Sequence, residues 1–81
     1  MPTLYENLSH PQEAAAVTPH DSTLLTDPGI LYVGTGGDVV VLTAGGQTVT
    51  FSNVPTGSFI PLQVRRVNST NTTASDILVL Y

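Results

Sequence analysis

The chain has 81 residues, a net charge of −4 and no cysteine, and only 10% of its residues are charged against 41% hydrophobic. Its size admits one small domain, and the missing cysteines exclude a disulfide framework and a thiolate zinc site. Two arginines as the only cations exclude the basic stripe that nucleic-acid binding requires, and no apolar run reaches the roughly 18 residues of a membrane-spanning helix.

Residues 1–28 contain Pro2, Pro11, Pro19 and Pro28, both histidines and four of the six acids. They show no strand period. Glu13–Ala16 has the composition of one helical turn, but Pro11 and Pro19 confine it, and so short a helix is marginal alone. The segment reads as an extended arm, expected to be ordered by contacts with other chains and to pack little against the module that follows. The first residues lack the basic lead and apolar stretch of a signal peptide, so synthesis in a cytoplasm is expected.

From Ile30 the pattern is β. Strands are expected at Ile30–Val33, Asp38–Thr43, Gln47–Phe51, Ser58–Val67 and Asp76–Tyr81. Gly34, Gly36 and Gly37 separate the first two. The Gly45-Gly46 pair is expected as a two-residue hairpin turn with both glycines at positive φ. In Gln47–Phe51 strict alternation puts Val49 and Phe51 on one face and Thr48 and Thr50 on the other. Asn53–Gly57 reads as a turn, with proline setting φ and glycine closing it. Ile60, Leu62 and Val64 share a face, and Pro61, lacking a ladder donor, marks an edge or a bulge. Asn68–Ala74 reads as an exposed hydroxyl-rich loop. The last strand, ILVLY, is apolar on both faces and therefore needs cover on both sides. The fold class is all-β: a small antiparallel β-sandwich or barrel-like module of five to six strands over residues 29–81, preceded by the arm.

Catalytic and metal chemistry find little footing here. The Gly34–Gly37 run lacks the Gly-Lys-Ser/Thr ending of a phosphate loop and precedes a strand where a helix should begin. His10 and His20 lie in proline-rich extended chain, which cannot converge ligands as a rigid element does. No serine sits in a Gly-x-Ser-x-Gly elbow. The two Asn-x-Thr/Ser sites at Asn68 and Asn71 matter only in a secretory pathway. The expectation is a non-enzyme with no cofactor and no metal.

The adjacent pair Arg65-Arg66 carries more information. Neighbouring strand residues point to opposite faces, so one arginine is expected at a subunit boundary, paired with Asp38 or Asp76 of a neighbour. Tyr81 is a further interface candidate. Low surface charge in so small a core points the same way, because oligomerisation is one of the few remedies for a domain this size.

Taken in order, Ala16–Asp21, Leu31–Asp38, Thr48–Gly57, Pro61–Val67 and Thr72–Ala74 resemble the head-spike base proteins of gene transfer agents and related tailed phages. The resemblance spans about residues 15–81 and departs from the usual pattern at His20, where a serine is common. It implies a structural virion protein, a small β-module on the capsid exterior at the vertices, anchoring a spike or fibre protein on the major capsid protein. A vertex position implies a homo-oligomer of five copies in a ring with heterologous contacts, with a trimer as the alternative. A capsid decoration protein or tail adaptor is the second reading. A small carbohydrate-binding host-attachment module is the rival from another class, weakened by the absence of Trp.

Overall fold

A computed structural model describes residues 11–81. Six strands form one sheet: β1 (Ala14–Ala16), β2 (Gly29–Thr35), β3 (Gly37–Thr43), β4 (Thr48–Val54), β5 (Ser58–Val67) and β6 (Ser75–Leu80). Their order is β1-β6-β2-β5-β3-β4, every pairing is antiparallel, and no helix occurs among the described residues. The fold is all-β, as expected.

A single sheet buries residues completely only by folding over on itself. Leu31, Val33, Val39, Val41, Val64 and Val67 are the large side chains lost from solvent. They share one cluster with Val17 beside the β1 edge and Val54 on the β4 edge. The bend lies in β5. Its first half pairs with β2, through Ile60 opposite Leu31, and its second half pairs with β3, through Val67 opposite Val41. The ladder slips between Gly29 and Leu31, opposite the stretch that contains Pro61, and again between Leu42 and Thr43. Bulges kink a strand and increase its twist, and Pro61 sits where no ladder hydrogen bond is required of it.

The side-chain period is visible in burial. Along β4, Val49 and Phe51 pack against the core while Thr48 and Thr50 face solvent. Along β5, Ile60, Leu62 and Val64 turn inward. The passage from β2 to β3 is a single residue, Gly36. A Cβ there would lie 2.5 Å from the Val54 carbonyl oxygen and 2.8 Å from the Thr56 nitrogen, so the close backbone crossing requires glycine.

The turn between β3 and β4 differs from expectation. The Gly46 N–H donates to the Thr43 carbonyl at 2.9 Å and the Thr43 N–H to the Gln47 carbonyl at 2.7 Å. Gly46 has φ +93° while Gly45 keeps a negative φ. The loop is therefore Ala44–Gly46, a three-residue hairpin whose last residue takes the left-handed conformation, and not a two-residue Gly-Gly turn. The extra residue was hidden because Ala44 carries no turn signal of its own.

The segment before Gly29 is a second correction, since from Gln12 to Leu25 it packs on its own module. Alanines 14–16 form β1 against β6, with Ala14 opposite Leu80 and Ala16 opposite Leu78. The chain then crosses the fold: the Val17 N–H donates to Ile77, His20 to Val67 and Leu25 to Arg65, at 2.9, 2.8 and 2.7 Å. Val17 is buried, and Leu25 packs against the core. The Val17 bond extends the pairing with β6, while the His20 and Leu25 donors occupy β5 carbonyls that β2 leaves open once it diverges at the bulge, which satisfies backbone groups that would otherwise be orphaned. The expectation for His10 falls outside the described residues.

Candidate assembly surfaces

Sheet geometry sets three surfaces apart. The first is the outer face of β1, β6, β2 and β5. Ile30 lies opposite Leu80, and Tyr32 lies opposite Leu78 on one side and Phe59 on the other. Tyr32 and Phe59 form a tilted aromatic pair with ring centroids 5.2 Å apart, which favours this cross-strand arrangement. Ala14 and Ala16 extend the rows across β1. Phe59 remains 58% exposed. No charged residue stands in these rows, so the outer side of the apolar last strand lies on an apolar strip with no second layer over it among the described residues.

The second surface is an open cleft between the end of β4 and the start of β5, lined by Phe51, Val54, Pro55, Phe59 and Pro61 among others. It exists because β5 leaves the β3 side of the sheet at the bulge.

The third surface comprises the two sheet edges, β1 and β4. In β1 the Glu13–Tyr81 pair exchanges both backbone hydrogen bonds, at 2.8 Å or 2.9 Å for each bond. By the antiparallel alternation, Ala14 and Ala16 direct their backbone groups outward. The Thr43–Gln47 pairing fixes the same alternation in β4 and turns Thr48 and Thr50 outward. Neither edge carries the lysine, proline or inward charge that blunts exposed edges.

The sequence-nominated residues are dispersed over these surfaces. Arg66 Nε donates to Asn68 Oδ1 at 2.7 Å. Arg65, half-buried at the bulge, has a buried Nε with no hydrogen-bond partner among the described residues, and its Nη2 would stand 3.9 Å from a Cβ at Gly46. Its guanidinium thus lies beside the hairpin tip where β4 begins. Asp38 and Asp76, the expected partners, serve their own chain. Asp38 Oδ1 accepts from the Asn53 N–H at 2.8 Å. Asp76 Oδ2 accepts from the Thr35 hydroxyl at 2.8 Å, and Asp76 takes φ +55°. Tyr81 is half-buried against the core, and its carbonyl accepts from Gln12 and Glu13. The structure therefore does not bring the arginines, the two aspartates and Tyr81 together as one site.

Two features escaped sequence reading. The loop 68–74 is laid along β3: Thr72 and Thr73 hydroxyls accept from the N–H groups of Val40 and Asp38 at 3.0 and 2.9 Å, and Ala74 is buried. Asp21 then clamps the arm to that loop. Its carboxylate accepts from the N–H groups of Ser69 and Thr70 at 3.0 and 2.9 Å and from the Thr70 hydroxyl at 2.6 Å. These bonds, those from Thr70 foremost, hold its carboxyl below the usual carboxylate range because they favour the charged form. His20 Nδ1 accepts from the Ser22 and Thr23 N–H groups at 3.2 and 3.3 Å, which fixes the bend that presents Asp21. The only sequence hint was a run of hydroxyl and Asx residues at both sites.

No protein-family model matches the chain, and no curated protein matches it. A chain of a solved structure described as "Capsid of native GTA particle computed with C5 symmetry" is similar over 88% of this chain and 83% of its own length, at 35% identity and a TM-score of 0.79. Identity and coverage of this order place both chains in one family: this chain belongs to the family of that capsid chain from a gene transfer agent (GTA) particle.

Proposed function

We propose that this chain, a member of the family of that gene transfer agent capsid chain, is a non-enzymatic structural protein of a virion-like particle. It serves there as the base on which a head spike or fibre stands. The single observation that carries the reading is the match to a chain of a GTA capsid along nearly the whole fold. The surface supports it: an outer sheet face of Ile30, Tyr32, Phe59, Leu78 and Leu80 without a charge among them is suited to contact with protein.

In this reading the base is a ring of copies of the chain, five at a capsid vertex, seated on the major capsid protein and carrying a spike or fibre protein. Vertices carry five-fold symmetry, and a closed ring of one chain uses heterologous contacts. Removing the gene from a producing strain tests the role. Particles are expected to keep closed heads and lose their spikes. Heads that fail to close would make the chain part of the shell itself, and intact spikes would rule out a base.

A further inference from the structure

We infer that neighbouring copies join edge to edge, β1 of one copy beside β4 of the next, with Glu13 of one copy facing Arg65 of the other. The inference rests on the ring proposed above and supplies its contact. A heterologous ring needs two different surfaces on each chain that fit one another. Among the described residues the sheet has two open edges, β1 and β4, at opposite ends of its strand order. Joining them continues one sheet into the next without using the same edge twice.

The chemistry of the edges agrees. Ala14 and Ala16 on β1 are small enough to let another backbone approach, and Thr48 and Thr50 on β4 are uncharged; all four are exposed. Outward-facing N–H and C=O groups on each edge supply the hydrogen bonds of an added strand. Charge completes the match. Arg65 stands at the hairpin end of β4 with its Nε buried and, among the described residues, unsatisfied. Of the other described acids, Asp21, Asp38 and Asp76 have carboxylates engaged within the chain, and Asp27, in the loop before β2, lines the cleft shared by Val17, Leu25 and Val79. Glu13 is exposed just before β1, and among the described residues only its backbone is held, by Tyr81. Setting Glu13 against the hairpin end of β4 makes the two edges run parallel: the outward groups of Ala14 bond to Thr48 and Thr50, and the residues opposite one another are Glu13 and Thr48, Ala14 and Val49, and Ala15 and Thr50.

Because the chain has no cysteine, a single introduced pair reports one contact. Adjacent strands lie ~4.8 Å apart, within the ~4.4–6.8 Å Cα separation that a disulfide spans. The full-length protein carrying Ala15→Cys and Thr50→Cys, opposite one another and on one face in this register, is expected to form covalent multimers on mild oxidation. Ala15→Cys alone and Thr50→Cys alone are expected to give none beyond a dimer. Glu13→Arg is expected to weaken self-association by at least about tenfold, since like charges would then meet, and adding Arg65→Glu is expected to restore it. Circular dichroism of each variant separates misfolding from dissociation, and should Arg65→Glu fail to fold, the cysteine pair and Glu13→Arg decide alone. An oligomer that neither cross-links nor responds to Glu13→Arg would overturn the edge contact while leaving the ring standing. A wild-type chain that stays monomeric and uncross-linked at every concentration would overturn both. Particle incorporation, scored separately on purified particles, tests the capsid role independently of either result.

Discussion

Replacing Gly45 and Gly46 separately by alanine isolates backbone strain from packing. Both positions are open: a Cβ at Gly46 meets nothing nearer than Arg65 Nη2 at 3.9 Å, and one at Gly45 nothing nearer than Thr43 Oγ1 at 3.7 Å. The two differ in φ, which is +93° at Gly46 and negative at Gly45. An L-residue in the left-handed region costs ~1–2 kcal/mol, and a β-branched one is a stronger outlier, on the order of 1–3 kcal/mol. In a domain of this size 1 kcal/mol moves the melting temperature by roughly 4–8 °C. Gly46→Ala should therefore lower Tm by roughly 4–16 °C, and Gly46→Val should lower it at least as far. Gly45→Ala should be neutral or raise stability by up to ~1 kcal/mol, because alanine restricts the unfolded chain. Thermal unfolding followed by circular dichroism at one fixed concentration reads all three. Equal effects at the two positions, or a greater loss at Gly45, would refute the assignment of the turn.

The arm supplies two further tests. Deleting residues 2–26 removes β1, buried Val17 and the donors to β5, so the remainder should lose its cooperative thermal transition. Val17→Ala, which removes about two buried carbons, should cost roughly 1.5–3 kcal/mol. Folded behaviour of the deletion variant would return the arm to the role of a mere tether. Asp21 has its folded-state carboxyl shifted downward by the Thr70 and Ser69 donors, so the native state binds its proton less readily than the unfolded chain does. Its stabilisation is present above the ordinary carboxylate range and lost as pH falls through the lowered folded value. Asp21→Asn should thus lower Tm at neutral pH and narrow its gap to wild type in acid, and a gap that does not change with pH would contradict the clamp.

Strands with a clean two-residue period could be read directly. Ser58–Val67 has the same bounds in sequence and structure, and the alternation of Thr48 to Phe51 matches its burial, because each is set by which face meets the core. What stayed hidden depends on partners distant in sequence. Ala14-Ala15-Ala16 has no period and a helical composition, yet it becomes a strand because β6 offers an unpaired edge to it; tertiary pairing outweighs a helix propensity confined between two prolines. Thr72 and Thr73 look like solvated loop until β3 needs acceptors for the N–H groups of Val40 and Asp38. The local roles of Asp38 and Asp76 were hidden for the same reason. Both aspartates are consumed by local donors, and adjacency in sequence reveals nothing of that.

The most direct test of a capsid role is a cryo-EM reconstruction of the particle from the producing strain, refined locally at the head vertices. The account predicts density at a vertex into which five copies of this fold fit as a ring on the outer shell surface, with a spike rising from them. A particle whose vertices and head surface hold no copy of this six-stranded fold would contradict it.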